Sequence, residues 1–282
     1  MKFYLTGLGN LYENLEWIAR AVVEADKLGF DGALMPDHYM WGPEIGHSMA
    51  SPYSTLETWT TLTYLAGKTE RISLGTLVTP LPFRHPGMLA KMLSTLDVLS
   101  GGRVILGVGA GWSRVEFEGY SRWLEVGDRV DATVEALEVI RRLWAEPEVS
   151  FKGDYYELRG AVLDPKPVQK PYPRLLFGSQ GRRMLQLTGR YGDICFIPPW
   201  AADRQNEIKE TVLEAAEEAG RLGEVAFMGG LMGAGSAYSS DEYMRLVDGQ
   251  ERSGSAYCAV AFQRGHVEDM RRFADEVMPS FR

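Results

Sequence analysis

The amino-acid sequence predicts an α/β protein of the (β/α)8 TIM barrel class with one small β-hairpin insertion, in a single domain over residues 1–282. Two observations carry this prediction. Residues 72–112 have the pattern of a strand, a crossover helix and a second strand, and strand and helix patterns alternate eight times along the 282 residues. Eight such repeats in a chain of this length suit a closed barrel. A doubly wound open sheet is the alternative, but it usually has fewer strands.

The central unit explains why the strands should be parallel. Ile72–Val78 is apolar and β-branched, which indicates a buried strand, and Pro80 prevents its continuation. A helix is predicted over residues 87–99, because its apolar residues recur at intervals of three and four. Val104–Val108 is the second apolar strand. Strand, helix and strand within about forty residues form a βαβ unit, and ligands bind at the carboxyl ends of its strands.

Before this unit, Lys2–Thr6 and Asp31–Met35 are predicted strands. A helix is expected from Tyr12 to Lys27 with Asn10 as its N-cap, and another over Thr55–Lys68. After the unit, residues 112–128 are expected to be irregular. The remaining predicted elements are a helix over Arg129–Trp144, a hairpin of Val149–Phe151 and Tyr155–Leu158, strands at Leu175–Phe177, Ile194–Ile197, Val225–Gly229 and Ala256–Phe262, and helices at Arg183–Arg190, Asp203–Gly220, after a Ser240 cap, and at Val267–Met278.

Composition narrows the class of protein. The net charge is −8 and there is no run of basic residues, so neither nucleic acid nor an anionic membrane is expected as a partner. We see no secretory signal and no apolar run long enough to cross a membrane. Cys195 and Cys258 lie in apolar strand patterns, which favours a reduced, buried pair in a cytoplasmic protein. The histidines and cysteines do not cluster, so no metal site is expected.

Polar residues follow three of the predicted strands. Asp37 and His38 come after the second strand, where His38 could exchange a proton and Asp37 could orient it or contact a cofactor; an exposed strand-end turn is the alternative. Gly107-x-Gly109-x-Gly111 runs into Trp112. Its spacing does not fit a dinucleotide fingerprint, so it is either a tight turn or a place where the backbone approaches a flat ring.

A third polar segment, residues 178–182, follows the strand at Leu175–Phe177. It reads Gly178-Ser179-Gln180-Gly181-Arg182 and precedes a helix. Backbone donors at a helix N-terminus, with an arginine nearby, can bind a phosphate. A plain loop between a strand and a helix is the alternative.

Three segments carry a resemblance to a known family. FDGALMPDH, the block from RISLGTLVTPLPFRHP to GVGAGW, and LLFGS followed by GRYGD resemble the luciferase-like flavin and deazaflavin oxidoreductases, and in particular their coenzyme F420-dependent branch. The resemblance implies a (β/α)8 barrel, commonly a homodimer, with the cofactor ring at the carboxyl ends of the strands. It also implies a bulged, non-proline cis peptide at Leu77-Val78 behind the ring.

The same resemblance assigns roles to individual residues. Asp37 and His38 fall at the positions where members of the family bind the cofactor ring and donate a proton beside it. The remaining cofactor contacts that it implies are Leu77 and Val78 behind the ring, Gly109, Ala110 and Gly111 at the ring edge, and Gly178, Ser179, Gln180 and Gly181 at the phosphate.

One position departs from the family pattern. The sugar-phosphate dehydrogenases of the family carry a glutamate directly after the glycine turn, where this chain has Trp112. Tryptophan cannot donate a proton at neutral pH, so Trp112, together with Trp41, predicts a flatter and more apolar substrate stacked on the ring. Trp112 is therefore expected both at the catalytic centre and in the substrate pocket.

Three functions remain open from the sequence. The first is hydride transfer between coenzyme F420 and a small organic substrate of alcohol, carbonyl or enone type, with His38 handling the proton. The second is an FMN-dependent monooxygenase that uses O₂, because the same cradle could hold FMN. The third is a flavin-binding relative without catalysis.

Overall fold

Eight parallel strands close into a barrel in the computed structural model, which describes residues 1–9, 14–40, 55–232, 238–262 and 267–282, with the backbone alone at residue 232. Pairing runs from β3 through β2, β1, β11, β10, β9 and β8 to β5, and the β3–β5 pairing closes the ring. The strands are β1 (Lys2–Leu5), β2 (Gly32–Met35), β3 (Ser73–Thr76), β4 (Thr79–Pro80), β5 (Val104–Gly109), β6 (Val149–Lys152), β7 (Glu157–Ala161), β8 (Arg174–Phe177), β9 (Ile194–Ile197), β10 (Ala226–Met232) and β11 (Tyr257–Ala261).

Helices follow the barrel strands, and β6 and β7 form the separate antiparallel hairpin that the sequence predicted. The helices are α1 (Leu15–Leu28), α2 (Thr58–Ala66), α3 (Pro86–Ser100), α4 (Arg114–Tyr120), α5 (Val126–Ala145), α6 (Arg182–Tyr191), α7 (Gln205–Glu218), α8 (Ser240–Arg252) and α9 (Val267–Glu276), with 3-10 turns at Leu81–Phe83, Pro199–Arg204 and Met278–Phe281. The predicted (β/α)8 barrel is confirmed.

The barrel interior is filled by alternate side chains of the strands. Phe3 of β1 contacts Phe273 of α9 outside the barrel, so its neighbour Tyr4 points inward. A side chain at Gly32 would lie about 2.1 Å from the Tyr4 ring, so only glycine fits there. The buried residues that pack together with Tyr4 are Leu34, Ile105, Leu176, Ile194, Phe196, Met228 and Ala259, and Leu77 and Val78 pack against them.

A bulge interrupts the predicted strand Ile72–Val78. Leu74 pairs with Val104 and Thr79 pairs with Val108, so the β3–β4 side carries one residue more than β5 between the same pairs. The extra residue leaves Leu77 and Val78 out of the ladder and turns them toward the barrel interior. The second half of the predicted strand is therefore the short β4.

The segment at residues 112–128 is not irregular, as the sequence suggested, because it contains α4. Its buried face consists of Glu116 and Phe117 alone, so it shows no apolar repeat. The Phe117 ring packs on Phe83 and Trp123 and fixes the helix. The next helix, α5, also starts at Val126, earlier than predicted.

Helices α1, α2 and α8 also start at positions other than those predicted. Helix α1 begins at Leu15 because the Asn14 side chain accepts a hydrogen bond from the Trp17 N–H. The predicted cap Asn10 lies outside the described residues. Helix α2 begins at Thr58 with Glu57 as its cap, and α8 is capped by Ser239 rather than Ser240.

Candidate active site

A cavity of about 440 Å³ opens at the carboxyl ends of the barrel strands. The loops after β2, β5 and β8 contribute to it, together with the bulge between β3 and β4. It brings together most of the residues predicted from the sequence, namely His38, Leu77, Val78, Gly109, Ala110, Gly111, Trp112, Gly178, Ser179, Gln180 and Gly181. Asp37 does not line it, and Trp41 lies outside the described residues.

The inner wall of the cavity is formed by the bulge. The Leu77-Val78 peptide bond is cis, as the family resemblance implies. A side chain on Gly109 would approach Val78 Cγ2 to about 2.5 Å, and one on Gly178 would approach Val78 Cγ1 to about 2.8 Å. Val78 therefore occupies the space that side chains on two neighbouring strand ends would need, and these glycines are required by packing inside the protein.

The glycine turn after β5 has a similar explanation. Gly111 has a φ of 82°, in the left-handed region that favours glycine. A Cβ there would also lie about 2.5 Å from the Phe117 ring. The turn thus lets α4 pack closely beneath the cavity and leaves Ala110 and Trp112 on the cavity wall.

Asp37 forms a buried ion pair behind the cavity. Both terminal nitrogens of Arg84 donate to its carboxylate, at 2.7 and 2.8 Å, and the Thr79 hydroxyl donates at 2.8 Å. Arg84 also donates to Glu57 at 2.6 Å. Burial lowers the pKa of Arg84, but Asp37 and the other acidic neighbours outweigh it and raise the pKa overall. Asp37 therefore links β2 to the segment after β4 instead of orienting His38.

The partner of His38 is Glu116. The distance from His38 Nδ1 to Glu116 Oε2 is 2.7 Å. The backbone N–H groups of Tyr39 and Met40 donate to the other oxygen, Oε1, at 2.8 and 3.2 Å. Glu116 is fully buried, while the His38 side chain retains 12% exposure and reaches the cavity. The Trp112 ring meets the His38 ring edge-on at 5.7 Å and is itself 53% exposed.

Another part of the cavity wall could hold an anion. Gly181 is the N-cap of α6 and provides no side-chain cap, so backbone donors of the first turn face outward. Arg129 of α5 lines the cavity with 6% exposure and stacks on Trp123 at 4.1 Å. Its Nε is buried and has no hydrogen-bond partner among the described residues. Burial lowers its pKa more than Glu125 raises it, so a bound anion would stabilise its charge.

A flavin or deazaflavin phosphate fits this part of the cavity. The buried, unpartnered Nε of Arg129 is the observation that supports the fit, because a buried cationic donor is costly without an acceptor. Ser179 and the backbone at Gly181 would complete the cradle. The apolar wall at Val78 would then face the ring.

Glu116 and Arg129 were missed by the sequence reasoning, because residues 112–128 were treated as irregular and α5 was started at Arg129. A signal existed for Arg129 alone, since it stands one residue before Val130 on the apolar face of a long helix. Among the described residues, no group of three or more potential ligands could hold a metal ion. No helix in the described part of the chain combines the length and apolarity needed to cross a membrane.

Comparison with known proteins adds the family. The family model described as luciferase-like monooxygenase matches residues 4–271. The chain belongs to the luciferase-like monooxygenase family. The F420-dependent glucose-6-phosphate dehydrogenase of Amycolatopsis mediterranei is 35% identical over 202 residues, which cover 70% of this chain and 58% of that protein. The corresponding protein of Nakamurella multipartita is 30% identical over 267 residues, covering 92% and 75%.

Other relatives share less of their length. Alignments with F420-dependent glucose-6-phosphate dehydrogenases of Microbacterium testaceum and Intrasporangium calvum span only 49% and 50% of those proteins. An FMNH(2)-dependent dimethylsulfone monooxygenase of Pseudomonas putida is 32% identical over 133 residues, 47% of this chain and 36% of that one.

Solved structures share the fold. An F420-dependent secondary alcohol dehydrogenase in complex with an F420-acetone adduct gives a TM-score of 0.86 at 22% identity, covering 100% of this chain and 99% of that one. Monooxygenase RslO1 from Streptomyces bottropensis gives 0.82 at 20% identity, with both chains covered fully. At these identities the likeness concerns the fold alone.

Proposed function

We propose that the protein is an oxidoreductase that transfers a hydride between coenzyme F420 and a small organic substrate. One observation carries the proposal: His38, the apolar bulge at Leu77 and Val78, and Arg129 line a single cavity. A proton-exchanging side chain, an apolar wall and a buried cation are what a flat redox ring with a phosphate tail needs. The F420-dependent relatives support the choice of coenzyme.

The chain's own residues would perform three tasks. Arg129 and the residues 178–181 bind the phosphate, while Leu77 and Val78 support one face of the ring. The ring, when bound, supplies the two-electron hydride chemistry. His38 gives or takes the proton of the substrate oxygen, because its ring borders the cavity and an imidazole can act as both acid and base. Trp112 covers the neighbouring space and limits access of water.

We infer an apolar substrate of alcohol, carbonyl or enone type. Trp112 and Trp200 line the cavity and are 53% and 71% exposed. Among the described lining residues, Arg129 is the sole permanent cation, and this proposal assigns it to the cofactor phosphate. A sugar phosphate would therefore find no cationic partner beside Trp112 among the described residues that line the cavity. The acetone adduct belongs to a structural neighbour and is in keeping with a small carbonyl.

FMN-dependent oxygenation is the second candidate function. The family model is named for luciferase-like monooxygenases, and one relative is an FMNH(2)-dependent monooxygenase. The anion-binding part of the cavity would accept the phosphate of FMN as readily as that of F420. Oxygen consumption with reduced FMN, without reaction with F420, would favour this candidate.

We further propose a homodimer in the cytoplasm that acts on small molecules, not on nucleic acid or membranes. Exposed apolar side chains on α2 and α3 support a subunit interface, among them Tyr64, Met88 and Leu99. Cys195 and Cys258 are buried and unpaired, which suits a reducing compartment. A molar mass in solution equal to that of a single chain would contradict the proposed homodimer.

Replacement of His38 by alanine tests the proposed role. We expect turnover with F420 and a panel of ketones, secondary alcohols and enones to fall about 10²- to 10⁴-fold, the usual contribution of acid–base catalysis, with little change in F420 affinity. His85→Ala is the matched control, because His85 is exposed and caps α3. Equal turnover in both variants would exclude His38 from the reaction.

A further inference from the structure

Glu116 is an ionisable residue with no exposed surface at a cavity that is open to solvent. An acidic residue is rarely buried completely unless its charge is paired and hydrogen-bonded. The partners of the Glu116 carboxylate among the described residues lie on one short segment after β2. They are the His38 ring and the backbone N–H groups of Tyr39 and Met40.

The two oxygens of Glu116 have different partners, and this difference fixes the protonation pattern. Oε1 faces two backbone N–H groups, which can only donate, so it must accept. Hydrogen bonds of this kind favour the charged form of a carboxyl group. A carboxylate has no proton to give, so with Glu116 charged the 2.7 Å contact at Oε2 must be donated by Nδ1–H of His38.

We propose that Glu116 is the positioning residue that holds His38 in the tautomer with hydrogen on Nδ1, so that Nε2 is the nitrogen that exchanges a proton in the cavity. This inference rests on the proposed function, in which His38 handles the substrate proton. In alcohol oxidation, Nε2 would take the O–H proton, and bound F420 would supply the two-electron chemistry that removes the carbon-bound hydrogen as hydride. In carbonyl reduction, Nε2–H would give a proton to the carbonyl oxygen as that oxygen gains negative charge.

The geometry assigns this task to Glu116 and not to Asp37. The Asp37 carboxylate is bound on both oxygens by Arg84 and on one by Thr79. Glu116 in turn is anchored by α4, whose Phe117 packs beneath the cavity. When His38 gains a proton, the adjacent carboxylate stabilises the imidazolium without becoming protonated, as the aspartate of serine-protease triads does.

Replacement of Glu116 by glutamine tests the proposal, because the amide has the same shape but a different donor pattern. The two N–H groups of Tyr39 and Met40 require an oxygen at their side. The amide nitrogen must then face His38 and donate to Nδ1, which imposes the tautomer with hydrogen on Nε2. His38 in this variant has no lone pair on the nitrogen that borders the reaction.

Nitrogen-15 NMR of the imidazole rings in the cofactor-free protein, recorded over a pH series that extends to the neutral rings, reads the tautomer directly. The chain has four histidines, so a His38→Asn spectrum identifies the signal. We expect Nδ1–H in the wild type and Nε2–H in Glu116→Gln. Nε2–H in the wild type overturns the proposal, as does an unchanged tautomer in the variant; if the variant does not fold, the wild-type spectrum decides.

Kinetics give a second readout. We expect Glu116→Gln to lower kcat by about 10²- to 10⁴-fold with cofactor affinity unchanged; the equivalent carboxylate-to-amide change in a serine protease costs about 10⁴ through the wrong tautomer. Glu118→Gln is the control, because Glu118 is exposed on the same helix and pairs with Arg114. Full kcat in Glu116→Gln contradicts the proposal. A wild type that is inactive with F420 contradicts the proposed function instead, while the NMR result still stands.

Discussion

Both terminal nitrogens of Arg84 donate hydrogen bonds to the Asp37 carboxylate, at 2.7 and 2.8 Å, and Asp37 is 1% exposed. This bidentate contact joins the carboxyl end of β2 to the chain just after the bulge. Thr79, which also donates to Asp37, receives the indole N–H of Trp59 at 3.2 Å. The ion pair therefore links the loop after β2 to the segment after β4, and Thr79 links both to Trp59 of α2.

Removal of Arg84 should destabilise the fold strongly. Arg84→Met leaves the buried Asp37 charge without its main partner, and we expect the free energy of unfolding to fall by about 3–5 kcal/mol. Urea unfolding measures the change. Arg114→Met, which removes an exposed pair with Glu118, should cost less than about 1 kcal/mol. If both variants lose a similar free energy of unfolding, the buried Asp37–Arg84 pair contributes no more than an exposed ion pair.

A methyl group at Gly109 should displace Val78. The added Cβ would lie about 2.5 Å from Val78 Cγ2, so we expect Gly109→Ala to cost about 1–3 kcal/mol of stability and to weaken cofactor binding. Gly127→Ala is the control, because a Cβ there meets nothing within 4 Å and alanine suits a helix better. Normal cofactor affinity in Gly109→Ala would show that the bulge does not support the ring.

Arg129 should discriminate cofactors by their phosphate. We expect Arg129→Met to weaken F420 binding about 10- to 100-fold, the range of a lost charge-assisted hydrogen bond. Binding of the phosphate-free deazariboflavin should change little, which isothermal titration can measure. Arg183→Met is the control, because Arg183 is exposed and pairs with Asp131. An equal loss for both ligands would place the phosphate elsewhere.

The Glu57 side chain should make stability depend on pH. Burial raises the pKa of Glu57, but hydrogen bonds from Thr60 and Arg84 outweigh it and lower the pKa below 4.5. The folded protein thus binds this proton less tightly than the unfolded chain, so the stabilisation is complete above pH 4.5 and disappears as the pH falls through the lowered pKa. Glu57→Gln should cost about 1 kcal/mol at neutral pH, with the partial exposure of Glu57 taken into account.

Unfolding curves of the two proteins at a series of pH values check this. The stability difference between Glu57→Gln and the wild type should shrink steadily below pH 4.5. A difference that stays constant over that range would contradict the lowered pKa.

The barrel fold could be predicted from the sequence, because the residue patterns of strands and helices are local. The apolar run at Val104–Val108 and the glycines at its end are visible without tertiary information. The partners of the site residues were not predictable, since they come from distant positions. Arg84 lies 47 residues from Asp37, and Glu116 lies 78 residues from His38. Nothing in the local pattern distinguishes which carboxylate reaches the imidazole.

Parallel titration of the purified protein with F420 and FMN, followed by absorbance, tests the central claim most directly. We predict saturable F420 binding at one site per chain, tighter than FMN, that is weakened by Arg129→Met and unchanged by His38→Ala. Binding of FMN alone, with no spectral response to F420, would contradict the proposal and leave the oxygen-dependent alternative.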